Sequence, residues 1–254
     1  MQSKEKGYYD IDIDIDEALV KMGMMDDIFY LRDLKQRKLF LTANIDQFSI
    51  GDITKHIMQY NAEDKGIPTD ERKPILLYVA STVGDVDAAF ELIYSIPAST
   101  IPVYTINLGY QYSMGFLIGL AGHKRYAAQN AKFLMHDGSN LIWNSGAKAQ
   151  DQMEFQKRVE QRIKQYVIAR SNVTSEEYDS KLRVEWYLFA DEAKEKLADF
   201  PVDPADDLPF DVDTGQKAEP EQPAVTISKD EITAVIVAKI KQKRSNNEKI
   251  GQLL

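Results

Sequence analysis

Short apolar runs alternate with amphipathic segments along the middle of the chain. Residues 75–80 form a continuous apolar run, as in strands that are buried on both faces of a sheet. Residues 49–60 instead carry apolar side chains at helical spacing, namely Ile50, Ile53, Ile57 and Met58. The alternation predicts an α/β fold with parallel crossovers. The predicted strands are Lys38–Leu41, Ile75–Ala80, Val103–Leu108 and Phe133–His136, and the predicted helices are Ile28–Gln36, Ser49–Tyr60, Asp85–Ile96, Ser113–Leu120 and Ala149–Arg170.

The two ends of the chain have a different character. Residues 9–16 alternate aspartate with tyrosine or isoleucine, which favours an acidic arm over residues 1–26 that forms a strand or hairpin against a partner. A Ca²⁺ site is the alternative, although the segment lacks the glycine turn and spacing of a known calcium loop. Residues 204–227 are rich in proline and acids and are interpreted as a linker. Residues 228–254 open on a capping box, Ser228 to Glu231, and predict an amphipathic C-terminal helix and tail.

Composition narrows the class of protein. The 254 residues carry a net charge of −9 and no cysteine, so disulfides and thiolate metal sites are excluded. The excess of acidic residues lies near the two ends of the chain, whereas residues 28–198 carry equal numbers of acidic and basic side chains. This distribution gives no sign of a basic surface that would bind nucleic acid. No segment is apolar enough for a membrane span, and residues 1–16 are too charged for a secretory signal. We therefore expect a cytoplasmic protein.

Two residues stand where an α/β fold gathers its chemistry. His136 ends an apolar strand, a position suited to proton transfer, although a structural histidine with satisfied hydrogen bonds fits equally well. Ser113 lies at a strand-to-helix turn, where helix N-terminal amides could stabilise an oxyanion, and a plain N-cap serine is the alternative. Gly84 lies at another such junction and could offer its amide to a substrate.

The order of these motifs resembles one family, the proteolytic subunit of the Clp protease (ClpP), from Phe29 to Asp203. Five segments carry the resemblance: Phe29–Leu41, Pro74–Gly84 with the turn Ser81-Thr-Val-Gly84, Tyr112-Ser-Met-Gly115, Phe133-Leu-Met-His136 and Ala190-Asp-Glu-Ala193. The chain departs from the family pattern at four positions: Val83 and Gly138 replace a glycine and a proline, Glu185 stands where aspartate is usual, and Val184 replaces an arginine of the ring-to-ring contacts.

The resemblance implies a fold and a mechanism. The fold is a ClpP/crotonase-like spiral of ββα units over residues 27–203, with a handle helix around residues 149–170. The activity is that of a serine endopeptidase in which Ser113 is the nucleophile, His136 the general base and Glu185 the orienting acid, with Asp179 as the other candidate for the acid. The amides of Gly84 and Met114 form the oxyanion hole.

The resemblance also implies partners. They are a homo-oligomeric heptameric ring, single or double, an ATP-driven AAA+ unfoldase and unfolded polypeptide substrates. We expect no cofactor and no metal in this chain, since ATP is used by the unfoldase. Along the handle helix, an apolar stripe predicts a subunit contact: Phe155, Val159, Ile163 and Tyr166.

Three other functions remain open on the sequence. A crotonase-type acyl-CoA enzyme shares the fold but does not need a serine–histidine pair. A catalytically impaired ring subunit is expected if Glu185 does not reach His136. A phage-type maturation protease of the same fold would use the long tail as a scaffold or tether.

Overall fold

The computed structural model describes residues 25–42, 44–138 and 142–197. The chain divides into two units, of which the first is described over residues 25–37 and the second over the described residues from 38 onward. Most of the predicted acidic arm lies outside the described residues, as do the linker over residues 204–227 and the helix over residues 228–254. These three segments and the domain boundaries drawn from them stay predictions.

The first unit contains one described helix, α1, over Met25–Lys35. It is the helix predicted over residues 28–36 and begins three residues earlier. Arg32 and Lys35 lie in its last turn, where basic side chains interact favourably with the helix dipole.

The second unit is built on a four-stranded parallel sheet in the order β1-β2-β3-β5. Every residue of β2 is buried, which explains its uninterrupted apolar sequence. The α/β class and the parallel crossovers predicted from the sequence are confirmed. The four strands are β1 over Lys38–Leu41, β2 over Ile75–Val79, β3 over Val103–Asn107 and β5 over Lys124–Ala127.

Three helices connect these strands: α2 over Gln47–Glu63, α3 over Val86–Ala98 and α4 over Met114–Ala121. Helix α2 begins with a capping box in which the Asp46 side chain accepts from the amide of Ser49 while the Ser49 hydroxyl accepts from the amide of Asp46. Met58, predicted on the apolar face of α2, is instead 66% exposed. It lies one residue beyond Ile57, about 100° around the helix, and so leaves the buried stripe.

A second sheet has three strands in the order β4-β6-β7, with β4 and β6 parallel and β7 antiparallel to β6. These strands are β4 over Tyr110–Tyr112, β6 over Lys132–Met135 and β7 over Trp186–Phe189. A parallel bridge between Ser81 and Gln111 links the turn after β2 to β4, so the two sheets continue into each other. The remaining helices are α5 over Gly146–Ala169, α6 over Ser175–Leu182 and α7 over Ala190–Leu197, with a 3₁₀ turn over Thr69–Glu71.

Candidate active site

Ser113 is the single residue between strand β4 and helix α4, and its backbone conformation is strained. Its φ of +54° and ψ of −120° make it one of two non-glycine residues with positive φ in the described part of the chain. Such a conformation costs on the order of 1–3 kcal/mol and persists only where the surroundings enforce it. Although Ser113 occupies the N-cap position of α4, its side chain makes no capping hydrogen bond. The hydroxyl is therefore not used to stabilise the helix, unlike that of an ordinary N-cap serine.

Hydrogen bonds on both sides hold this turn. The amide of Tyr112 donates to the carbonyl of Ser81 over 2.9 Å, and the amide of Ser113 donates to the carbonyl of Leu134 over 2.9 Å. Gly115 lies against Ser81, since a Cβ built on the glycine would stand 3.0 Å from the Ser81 carbonyl oxygen. The start of α4 is therefore fixed to β6 on one side and to the turn after β2 on the other.

His136 directly follows β6 and is half-buried. Strands β4 and β6 run parallel with Tyr112 opposite Leu134, so Ser113 and His136 both come at the carboxyl ends of neighbouring strands. The strand register thus brings together the two residues singled out from the sequence. Within the described residues, no hydrogen bond joins the side chains of Ser113 and His136.

Glu185 comes just before β7. Since β6 and β7 are antiparallel with Met135 opposite Trp186, the next residues along the two strands are His136 and Glu185. The Glu185 side chain is exposed, and its Oε2 accepts a 2.6 Å hydrogen bond from the Tyr187 hydroxyl. This bond raises the pKa of Tyr187. Glu185 thus lies at the same edge of the sheet as His136, with its carboxylate hydrogen-bonded to Tyr187 rather than to His136.

Asp179, the other candidate acid, lies on α6. Both of its carboxylate oxygens accept from the Lys164 ammonium, at 2.6 and 2.7 Å. The Asp179 side chain is 60% exposed, so this ion pair faces solvent. The structure therefore gives neither candidate acid a hydrogen bond to His136.

Gly84 follows β2 and pairs with Ile45 in a parallel bridge. The bridge uses the carbonyl of Val83 and the amide of Asp85, which both bond Ile45, and no hydrogen bond in the described part of the chain uses the Gly84 amide. Because successive peptide groups of an extended chain point to opposite sides, the Gly84 amide faces away from Ile45. A Cβ on Gly84 would overlap the Ile45 side chain, so this close approach requires glycine.

Met114 begins α4 and is 5% exposed. The first amides of a helix have no intrahelical acceptor, so the Met114 amide can donate to a ligand bound beside Ser113. The two backbone amides thus lie on different elements, that of Gly84 in the turn after β2 and that of Met114 at the start of α4.

Comparison with known proteins shows the family of this chain. Residues 22–198 match the model of the Clp protease family. The chain belongs to the Clp protease family. Its mixed α/β architecture, with one parallel and one mixed sheet, is consistent with the ClpP fold expected from the sequence.

Several curated Clp protease relatives are similar to this chain. The ATP-dependent Clp protease proteolytic subunit 1 of Streptomyces avermitilis is 31% identical over 190 residues, which is 72% of this chain and 83% of the relative. Subunit 2 of Treponema pallidum is 30% identical over 113 residues, 44% of this chain, and subunit 3 of Streptomyces coelicolor is 33% identical over 136 residues, 51% of this chain. The alignment spans only 54% and 59% of the lengths of these last two relatives.

Some features of this Clp protease family member escaped the sequence analysis. Tyr112 and Tyr187 meet edge to face, with ring centroids 6.0 Å apart, beside the end of β4. The sequence of β7 is apolar at all four positions and therefore gave no signal that Tyr187 and Phe189 are exposed. A cavity of about 400 Å³ lies elsewhere, between α6, β7 and α7, and none of the predicted site residues lines it.

Two further observations concern the described residues only. In these ranges, no three histidine, aspartate or glutamate side chains converge so as to hold a metal ion. Among the described helices, none has both the length and the apolar character needed to cross a bilayer.

Proposed function

We propose that this Clp protease family member is a serine endopeptidase with Ser113 as its nucleophile. The observation that carries the proposal is the Ser113 turn. A serine is held at φ +54° between a strand and a buried helix, its hydroxyl is not used for capping, and it lies one strand away from His136. A structural serine has no need of such strain.

The proposed reaction follows the serine peptidase pattern. The imidazole of His136 takes the Ser113 proton while the Ser113 oxygen forms a bond to the peptide carbonyl carbon. The amides of Gly84 and Met114 donate to the negative charge that develops on the carbonyl oxygen. When the C–N bond breaks, the departing amine takes the proton from His136. Water, activated by the same imidazole, then releases the acyl group from Ser113.

Glu185 is the proposed orienting acid. Its place opposite His136 on the antiparallel strand supports this role. To accept from the imidazole, the carboxylate must turn away from the Tyr187 hydroxyl or share its oxygens between both groups. The proposed ring supplies a reason for such a turn, because subunit contacts could reorder exposed side chains on β7.

Assembly and partners are part of the proposal. The printed names of the relatives describe ATP-dependent proteolytic subunits. We infer by analogy a homo-oligomeric ring, heptameric and single or double, that encloses the sites and receives unfolded polypeptides from an ATP-driven AAA+ unfoldase. No cofactor is needed for the peptidase chemistry of this chain, and a cytoplasmic location fits a chain without cysteine.

Labelling with a fluorophosphonate tests the proposal. We expect one modified residue per chain, located at Ser113 by peptide mapping, together with cleavage of small fluorogenic peptides. The matched control is Ser95→Ala on α3, where the hydroxyl only bonds the Glu91 carbonyl, and it should label like the wild type. An assembled particle that neither labels nor cleaves would show a catalytically impaired ring subunit. Turnover of acyl-CoA in place of peptides would show a crotonase-type enzyme.

A further inference from the structure

The C-terminal end of helix α4, which begins just after Ser113, is buried without access to water. All eight residues of α4 are buried, and so is Gly122 behind them. The last four carbonyls of any helix lack intrahelical amide partners, and surface helices bond them to water. Buried carbonyls need protein donors instead.

Arg170 supplies the donors for two of those four carbonyls and for the carbonyl of Gly122, while the Thr105 hydroxyl donates to the carbonyl of Gly119 over 2.7 Å. Arg170 stands at the C-terminus of α5, and its Nε donates to the carbonyl of Leu120 over 3.0 Å. Its Nη2 donates to the carbonyls of Ala121 and Gly122 over 2.9 and 2.8 Å. One guanidinium therefore binds three successive carbonyls. Its positive charge also lies at the negative end of the α4 dipole, where a cation is stabilising.

Two neighbouring side chains complete the clamp. The Tyr166 hydroxyl, one turn earlier on α5, donates to the carbonyl of Leu117 over 2.9 Å. Burial raises the pKa of Tyr166, so the phenol remains a neutral donor at physiological pH. Arg125, 7% exposed on β5, donates over 2.7 Å to the carbonyl of Arg170 itself and so fixes its backbone.

Helix α4 joins this clamp directly to the candidate site. Eight residues span about 12 Å, and a single short helix moves as a rigid rod. Gly119 packs so closely against the Gln111 side chain that any Cβ there would overlap it, so the helix has a close contact with β4 between its two ends. The backbone hydrogen bonds of Tyr112 and Ser113 hold one end of α4, and the Arg170 clamp holds the other. Without the clamp, we expect the remaining supports to let the helix shift, and the Ser113 hydroxyl and the Met114 amide with it.

We propose that Arg170, assisted by Tyr166, is a positioning residue for the nucleophile: it clamps the C-terminus of α4 to the end of α5 and thereby sets the position of Ser113 and of the Met114 amide. The inference rests on the proposed role of Ser113. It also makes the long helix α5 part of the catalytic apparatus, since any movement of the end of α5 reaches the nucleophile through α4.

Substitutions at the clamp test the proposal in the full-length chain. Arg170→Gln removes the charge and most of the donors, whereas Arg170→Lys keeps the charge but reaches fewer carbonyls. Tyr166→Phe removes a single hydrogen bond and is the mild variant to use if Arg170→Gln does not fold. Arg162→Gln, on the exposed face of the same helix, is the matched control.

Peptide hydrolysis gives the first readout. Displacing a reacting group by about 1 Å costs on the order of 10²-fold in rate. We expect Arg170→Gln to lower kcat about 10- to 100-fold with KM little changed, Arg170→Lys to recover part of the loss, and Arg162→Gln to match the wild type. If Arg170→Gln lowers only the melting temperature and leaves kcat per labelled Ser113 unchanged, Arg170 has a purely structural role and the proposal is overturned.

Amide hydrogen exchange gives a second readout that does not depend on activity. Arg170 touches only the far end of α4, so faster exchange in Arg170→Gln at the amides of Met114 to Phe116 would demonstrate the coupling. Faster exchange restricted to residues 118–122 would overturn it. The wild type could show the exchange coupling and yet neither react with the fluorophosphonate nor hydrolyse peptides. In that case the proposed function is wrong, and the link from Arg170 through α4 to Ser113 is supported.

Discussion

The Tyr187 hydroxyl donates a 2.6 Å hydrogen bond to Oε2 of Glu185, two residues earlier in the chain and just before β7. Both side chains are exposed, so this bond alone does not hold the carboxylate firmly. Glu185 therefore lies opposite His136 when the register of β6 and β7 is continued by one residue. Its carboxylate nevertheless accepts a hydrogen bond from Tyr187 and not from the imidazole. Substitution of Glu185 is therefore the most informative test of the proposed triad.

Glu185→Gln should lower peptide turnover about 10⁴-fold, as loss of the orienting carboxylate does in a well-studied triad. The amide leaves the imidazole without its charge partner and favours the wrong tautomer. Steady-state kcat/KM on a fluorogenic peptide measures the effect. Asp179→Asn is the comparison, because Asp179 is paired with Lys164. A silent Glu185→Gln beside a damaging Asp179→Asn would assign the role to Asp179.

Ser113→Ala should abolish hydrolysis, with a loss on the order of 10⁶-fold, because no other group forms the acyl intermediate. The particle mass should not change, since the Ser113 hydroxyl makes no capping bond to α4. Kinetics on protein free of wild-type contamination measure the loss. Residual activity above a few per cent would exclude Ser113 as the nucleophile.

Gly84→Ala should lower kcat about 10²- to 10³-fold, the loss typical of removing one oxyanion donor. The added methyl group would overlap Ile45 and push the turn out of place. Gly51→Ala on α2, where a Cβ meets nothing within 4 Å, is the matched control and should keep full activity. Equal kcat values for the two variants would show that the Gly84 amide has no part in the reaction.

The sequence predicted those elements whose own residues carry a strong pattern. The largely apolar segments predicted β1, β2, β3 and β6 to within one residue at each end. Three strands, β4, β5 and β7, were missed, and the reason is plain for the first two. Strand β4 has only three residues, too few for a period, and β5 begins with Lys124 and Arg125. An arginine in a sequence suggests a surface residue, and the burial of Arg125 depends on tertiary contacts such as its hydrogen bond to the Arg170 carbonyl.

The candidate site, like the fold, could be predicted from the sequence only in part. His136 follows an apolar strand that the sequence predicts. Ser113 follows β4, which was missed, so its strand-to-helix turn could be inferred from local sequence but its pairing beside His136 could not. The acid could not be decided, because Tyr187 and Lys164 determine where Glu185 and Asp179 point, and no sequence period records such pairings. Arg170 was likewise invisible as a clamp, since its three acceptor carbonyls belong to residues about fifty positions earlier.

His123 should make the fold sensitive to acid. Partial burial lowers the pKa of His123, and the nearby Arg170 guanidinium lowers it further. The unfolded chain binds a proton near pH 6.5, whereas the folded chain binds it only at lower pH, so stability falls as the pH drops through that window. Between pH 7 and pH 5, the melting temperature of His123→Gln should therefore fall less than that of the wild type, with the value at pH 8 as the reference for each protein. Equal slopes for variant and wild type would contradict this.

The apolar stripe of α5 is the feature on which assembly depends. Phe155 is 56% exposed, and Val159 and Ile163 are half-buried within the single chain. Tyr166, the fourth predicted member, differs because its hydroxyl bonds the Leu117 carbonyl of its own chain. The surface available to another subunit is therefore the outer part of the stripe, and burying each such side chain contributes roughly 1.5–3 kcal/mol.

Replacing Val159 and Ile163 together with glutamate should leave a folded chain but a smaller particle, because two charges in an apolar contact are strongly unfavourable. Peptide hydrolysis should fall with the particle mass, since α5 reaches Ser113 through Arg170 and α4. Light scattering coupled to gel filtration measures the mass. The matched control places the same two charges on the exposed face of α5 by Gln161→Glu and Gln165→Glu, and it should keep mass and activity. A Val159→Glu, Ile163→Glu variant with wild-type mass and full activity would show that the stripe packs on its own chain and that the ring, if there is one, is held by another surface.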